Sequence, residues 1–123
     1  MSKPYVLVVD DEADLRELVA LTLADEGYDV GVARHGREAL ERIAKRRPDL
    51  VLLDMMMPVM DGRALCAALR ADGGLPRIVV MTAADRVAQC ARELGAVGWL
   101  AKPFDIDDLV AAIRGGLDSR KDL

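Results

Sequence analysis

The sequence predicts a doubly wound α/β sandwich, a five-stranded parallel sheet with helices on both faces. Three observations point there. Five apolar runs alternate with five helical patterns along 123 residues, as parallel strands joined by right-handed crossovers require. Two of the strand-like runs, Tyr5-Val6-Leu7-Val8-Val9 and Leu50-Val51-Leu52-Leu53, are apolar throughout, which fits strands covered on both faces. Carboxylates follow two of these runs directly, Asp10-Asp11 after the first and Asp54 after the third. In an open parallel sheet ligands gather beyond the carboxyl ends of the strands. Periodicity leaves the strand order open.

The elements follow in sequence. After the first strand, Leu15, Leu18, Val19 and Leu23 form one stripe of an amphipathic helix that Gly27 stops. Thr22 falls on the same stripe and offers it a methyl group. Tyr28 to Ala33 alternates weakly, which suits a strand nearer an edge. A helix through Ala39, Leu40, Ile43 and Ala44 is ended by Pro48. Beyond the central strand, Asp61 is placed to cap a helix carrying Leu65, Ala68 and Leu69.

Asp72-Gly73-Gly74-Leu75-Pro76 reads as a turn, and Ile78 to Met81 as the fourth strand. A poorly patterned helix spans about Asp85 to Leu94, stopped by Gly95, and Val97 to Ala101 forms a short fifth strand. Asp105, with Asp108 three residues on, caps a last helix through Leu109, Val110, Ile113 and Leu117. There is no internal repeat beyond the alternation and no interior linker. The expectation is a single domain over 1–123, its core from about 4 to 117 and a frayed polar tail over 118–123.

Composition excludes several classes. A chain 52% apolar and 31% charged can repay its ordering entropy. The apolar runs are shorter than the ~20 residues a membrane-spanning helix needs. Met1-Ser2-Lys3-Pro4 carries no basic-then-apolar export signal, so a cytoplasmic location is expected. A net charge of −4 argues against direct nucleic-acid binding. The basic run Lys45-Arg46-Arg47 sits where it would offset a helix dipole. Cys66 and Cys90 lie in helices without metal-ligand spacing and read as buried reduced thiols. His35, the only histidine, reads as an exposed loop residue, and the Met55–Met57 and Met60 cluster as a loop partly tucked under its neighbours.

The acidic residues carry the chemistry. If the first and third strands are neighbours, Asp10, Asp11 and Asp54 meet at one sheet edge. Two unit charges ~5 Å apart repel by on the order of 3 kcal/mol at an effective dielectric of ~20, and three such pairs by about 10 kcal/mol. A divalent cation relieves this; an all-oxygen site favours magnesium, manganese or calcium, and a phosphate partner tilts the choice towards magnesium. Helix capping accounts for one aspartate but not readily for two. Thr82 ends the fourth strand and Lys102-Pro103 follows the fifth. A hydroxyl and an ammonium facing a cation-bound carboxylate are what a phosphoryl group needs.

With these motifs in order, the chain resembles the receiver domain of two-component response regulators over about Pro4 to Leu117. Asp10-Asp11 resembles the family's metal-binding acidic pair, and Asp54 its phosphoaccepting aspartate. Met55-Met56-Met57-Pro58-Val59-Met60-Asp61-Gly62 is similar to the loop that follows. Thr82 matches the switch hydroxyl, Lys102 the site lysine, and Pro103 the proline usually preceded by a cis bond. The resemblance implies a flavodoxin-like strand order 2-1-3-4-5. It also implies Mg2+ held by Asp11, Asp54 and the Met56 main-chain carbonyl, with Asp10 beside it or acting through water. Asp54 would take a phosphoryl group from a phosphohistidine on a sensor histidine kinase or histidine phosphotransfer protein. Thr82 and Lys102 would then shift the face around strands 4–5 and helices 4–5.

Implied partners are that donor and a downstream effector or fused output domain. Dimerisation through helices 4 and 5 is a further expectation that Arg86, Gln89, Arg92 and Arg114 do not specify. Two departures from the family pattern stand out. Trp99 occupies the place of a switch tyrosine or phenylalanine, as a bulkier rotor or a static packing residue. Met56 and Ala84 flank the phosphoryl position without a group to orient water, which predicts slow self-dephosphorylation.

Three rivals stand beside this reading. An aspartyl phosphatase would carry a second aspartate two residues after the nucleophile, where this chain has Met56. A flavodoxin-like cofactor binder needs a phosphate-cradling first loop, which Asp10-Asp11-Glu12 would repel. An unphosphorylated docking module would lack some residue of the set, and none is missing. The expectation is a signalling phosphoacceptor rather than an enzyme.

Overall fold

The structure, a computed structural model, describes residues 3–57 and 59–119. Its elements are β1 (Tyr5–Val9), α1 (Ala13–Asp25), β2 (Asp29–Ala33), α2 (Gly36–Lys45), β3 (Leu50–Asp54), α3 (Gly62–Ala71), β4 (Ile78–Ala83), α4 (Val87–Leu94), β5 (Gly98–Lys102) and α5 (Ile106–Asp118). All strand pairs are parallel, in the order β2-β1-β3-β4-β5. No helix among the described residues is long and apolar enough to cross a membrane.

The unbroken apolar runs follow from two cores. Alternate strand residues point to opposite sides of a pleated sheet. Leu7, Val9, Val51, Leu53, Ile78 and Val80 therefore pack with Ala39, Ile43, Leu65, Leu69, Ala91 and Leu94 of α2, α3 and α4. Val6, Val8, Leu50, Leu52, Val79 and Met81 pack with Val19, Leu23, Leu109 and Ile113 of α1 and α5. A fully buried leucine contributes roughly 2–3 kcal/mol relative to exposure, so two such layers hold the strands rigidly in register. Cys66 and Cys90 are buried free thiols in the first core. Asp61 and Asp105 cap their helices, accepting from the Ala64 and Asp108 amides.

Several local expectations are corrected. Leu18 is 55% exposed instead of joining the α1 stripe. At 3.6 residues per turn it lies about 120° round the helix from the midpoint of buried Val19 and Leu23. The Thr22 hydroxyl donates to the Leu18 carbonyl. β2 begins at Asp29 rather than Tyr28, and α4 at Val87 rather than Asp85. Residues 84–86 form a turn in which the Arg86 amide donates to the Ala83 carbonyl. α5 runs through Asp118, so the expected polar tail begins at Ser119, and 120–123 lie outside the described residues. Pro58 lies outside them too.

The basic run does not act as a unit at the α2 terminus. Lys45 is the last helical residue, while Arg46 stacks on the Tyr5 ring and pairs with Asp29, and Arg47 donates to the Gly74 carbonyl. His35 is a half-buried helix cap rather than an exposed loop residue: its Nδ1 accepts from the Glu38 amide. Of the methionine loop, Met55 and Met57 are buried and Met56 is exposed.

Gly36 opens α2 against the loop after β3. Its amide donates to the Met60 carbonyl, and a Cβ there would sit 2.7 Å from that main-chain oxygen. A backbone atom cannot yield as a side-chain tip can. Gly36→Ala is expected to destabilise the fold by about 1–3 kcal/mol, read as a lowered urea midpoint at unchanged slope. An unchanged midpoint would contradict a close approach at Gly36.

Candidate functional site

The register assembles the site. Val9 pairs with Leu53 and Asp54 with Met81, so one residue beyond β1 the chain stands beside the tip of β3. Carboxylate oxygens of Asp10, Asp11 and Asp54 lie within 4.8 Å of one another. Asp10 and Asp54 are 1% and 4% exposed, while Asp11 faces solvent. Lys102, at the end of β5, places its Nζ 3.1 Å from Asp10 Oδ2 and 3.5 Å from Asp54 Oδ2. The Lys102–Pro103 bond is cis.

Main-chain donors orient the two buried carboxylates. The Met56 amide donates to Asp54 Oδ1 at 3.1 Å, and the Glu12 amide to Asp10 Oδ1 at 2.9 Å. Neither aspartate is the N-cap of α1, a place Glu12 takes without a side-chain cap bond, and the main-chain amide donating to the Asp10 side chain is that of Glu12. Thr82 is buried on β4, one residue beyond the partner of Asp54. Trp99 pairs with Val80 on β5 and is 53% exposed, lining a shallow depression with Pro103 and Ala111. Met56 and Ala84 are exposed on the loops after β3 and β4. His35 takes no part in the acidic cluster.

Burial raises the Asp54 carboxyl to about 6, opposed by the Met56 amide and the Lys102 charge and reinforced by Asp10. Burial alone would lower Lys102, but the Asp54 and Asp10 charges outweigh it and hold its ammonium above the usual lysine value. Three oxygen-bearing side chains in mutual reach, two of them buried, fit a hard divalent cation and lack the soft ligands of zinc or copper sites.

Arg16 is a neighbour of the site that sequence reasoning passes over. Its Nη1 donates to the Asp10 main-chain oxygen at 2.9 Å. The available signal is a long donor one helical turn after the acidic pair.

Architecture and acidic cluster define a class, the flavodoxin-like domains whose sites lie at the carboxyl ends of the strands. Within that class the chain belongs to the response regulator receiver domain family, whose profile matches residues 6–114. It is 42% identical over 118 residues to the DNA-binding response regulator MtrA of Mycolicibacterium paratuberculosis, covering 95% of this chain and 52% of that protein. It is 44% identical over 111 residues to the response regulator MprA of Mycolicibacterium vanbaalenii, covering 89% and 48%. The chain thus spans about half the length of these curated relatives. Among solved structures it is similar to chemotaxis protein CheY4 of Vibrio cholerae, with a TM-score of 0.83, 36% identity and coverage of 92% and 98%. NtrX from Brucella abortus superposes with a TM-score of 0.86 at 33% identity, over 94% of this chain and 27% of that one.

The raised Asp54 carboxyl fixes the sign of a pH effect. Without a divalent cation, the folded protein binds this proton more tightly than the unfolded chain, so the group's contribution is most favourable at low pH. It falls as pH rises from the usual 3.8 through about 6 and then stays level, at a cost of about 3 kcal/mol. In chelator, Asp54→Asn is expected to be more stable than wild type at pH 7.5, by up to that amount. The gap should close as pH falls to about 4. Urea melts across pH check this, and a gap that stays constant with pH would contradict it.

Proposed function

We propose that this chain is a phosphoacceptor signalling domain in which Asp54 takes a phosphoryl group from a phosphohistidine on a partner. The partner is a sensor histidine kinase or a histidine phosphotransfer protein. One observation carries the reading: Lys102 Nζ stands 3.1 Å from Asp10 and 3.5 Å from Asp54, over three clustered carboxylates. An Asp54 carboxylate oxygen attacks phosphorus while the bond to the donor histidine nitrogen breaks. The imidazole leaves with that electron pair, and Asp54 becomes an acyl phosphate. Asp11, Asp54 and the Met56 carbonyl would hold Mg2+, with Asp10 beside them. When bound, the ion neutralises phosphoryl charge.

Lys102 then exchanges its carboxylate partners for a phosphoryl oxygen, and Thr82 donates a hydrogen bond to another. Their movement shifts an existing equilibrium in the loop after β4 and in the surface formed by α4, β5 and α5. Trp99 moves with that surface. Neither the Met56 thioether nor the Ala84 methyl can orient a water at the acyl phosphate. The phosphoryl group is therefore lost only slowly, and the domain promotes no reaction beyond its own phosphorylation and slow dephosphorylation.

The readout is a downstream effector or a fused output domain in the cytoplasm, with dimerisation through α4 and α5 as one route. The DNA-binding name of the MtrA relatives supports an output on DNA through another part of the protein, since this domain carries a net charge of −4.

Incubation with Mg2+ and acetyl phosphate, followed by intact mass, tests the reading. Wild type is expected to gain one phosphoryl mass and Asp54→Asn none. After donor removal the adduct should persist, and Met56→Glu or Ala84→Glu should shorten its life severalfold. An adduct retained by Asp54→Asn would overturn the assignment.

A further inference from the structure

We propose that Arg16 is a positioning residue for the cation site, holding the turn that presents Asp11. This rests on the reading of the acidic cluster as a Mg2+ site. Asp11 is exposed, and among the described residues no side-chain hydrogen bond or ion pair holds its carboxylate. Its place within 4.8 Å of Asp10 and Asp54 is therefore set by the backbone of the turn between β1 and α1.

Four hydrogen bonds fix that backbone. The Asp10 amide donates to the Ala33 carbonyl at 3.2 Å, which anchors the outgoing strand. The Glu12 amide donates to Asp10 Oδ1 at 2.9 Å, which closes the turn on itself. The Arg16 amide donates to the Glu12 carbonyl at 2.9 Å as the first turn of α1 closes. Arg16 Nη1 donates to the Asp10 main-chain oxygen at 2.9 Å, the one of the four that ties Asp10 itself to the body of α1. The N-cap Glu12 makes no side-chain cap bond, so the side-chain anchors at the helix start are Asp10, on the Glu12 amide, and Arg16. Arg16 does from within the helix what a capping side chain would do from its end: it satisfies a main-chain polar group and fixes the entry angle of the chain.

The charge of Arg16 acts in the opposite direction. A guanidinium beside an acidic cluster repels an incoming divalent cation, so deleting charge alone would tighten binding. Losing a group that orients a metal ligand instead weakens binding, by about 10–100-fold where such partners have been removed. The two effects differ in sign, which makes the inference decidable.

The experiment is calorimetric titration of Mg2+ into wild type, Arg16→Met, Arg16→Gln and Arg16→Lys at fixed ionic strength, beside urea melts of each in chelator. Arg16→Met keeps the apolar stem without charge or donor, and Arg16→Gln is too short to reach the Asp10 carbonyl. Both are expected to bind Mg2+ about tenfold more weakly. Arg16→Lys keeps a donor and should recover most of the affinity. Should Arg16→Met not fold, Arg16→Gln decides in its place. Affinity equal to or tighter than wild type in Arg16→Met or Arg16→Gln overturns the inference, as does a lysine variant as weak as the methionine one. A wild type that binds no Mg2+ sinks the reading of the pocket itself, and this inference with it.

Discussion

Asp10, Asp11 and Asp54 hold carboxylate oxygens within 4.8 Å of one another, and Lys102 is the cation that the chain itself sets against Asp10 and Asp54. Like charges at that separation cost several kcal/mol in partial burial, against a total domain stability of about 5–15 kcal/mol. The cluster is therefore tolerated only because Lys102 and two main-chain amides offset part of it. Burial, reinforced by Asp10, keeps the Asp54 carboxyl raised in spite of these offsets. A site left short of positive charge has a standing affinity for a divalent cation. Breaking one partner of a buried pair costs about 3–5 kcal/mol, so Lys102 is also a structural element of the metal-free protein.

The sheet is what makes the convergence inescapable. With both faces packed, a strand cannot slip without moving its side chains to the wrong core. The register Val9–Leu53 and Asp54–Met81 then fixes where the tips of β1 and β3 stand. Beyond the tips the chain is freer. Met56 and Ala84 are exposed on their loops, whereas Trp99, 53% exposed, lies within β5. Strand ends carry Asp54 and Lys102, and the short turn after β1 carries Asp10 and Asp11.

Much of this was legible in the residues. The apolar runs with no alternation announced a sheet covered on both faces, and the caps at Asp61 and Asp105 came from spacing alone. Periodicity did not contain the strand order, since a one-dimensional pattern does not say which strands are neighbours. That order came from the family resemblance, and the topology agrees with it. Leu18 was misplaced because its spacing fits a stripe whose centre the sheet sets elsewhere. His35 was misread because a histidine cap depends on Nδ1 meeting the Glu38 amide, a geometry that composition does not encode. For Arg16 the sequence offers only a long donor one helical turn after the acidic pair, since its partner is a main-chain oxygen that any residue could supply.

The premise beneath the rest is that one hard cation sits among these oxygens. Anomalous diffraction from crystals soaked in Mn2+ tests it most directly, since manganese shares magnesium's preference for oxygen ligands. A single peak within bonding distance of the Asp11 and Asp54 carboxylates and the Met56 carbonyl is the predicted result. A peak elsewhere, or none while Asp10, Asp11 and Asp54 stay clustered, would contradict it.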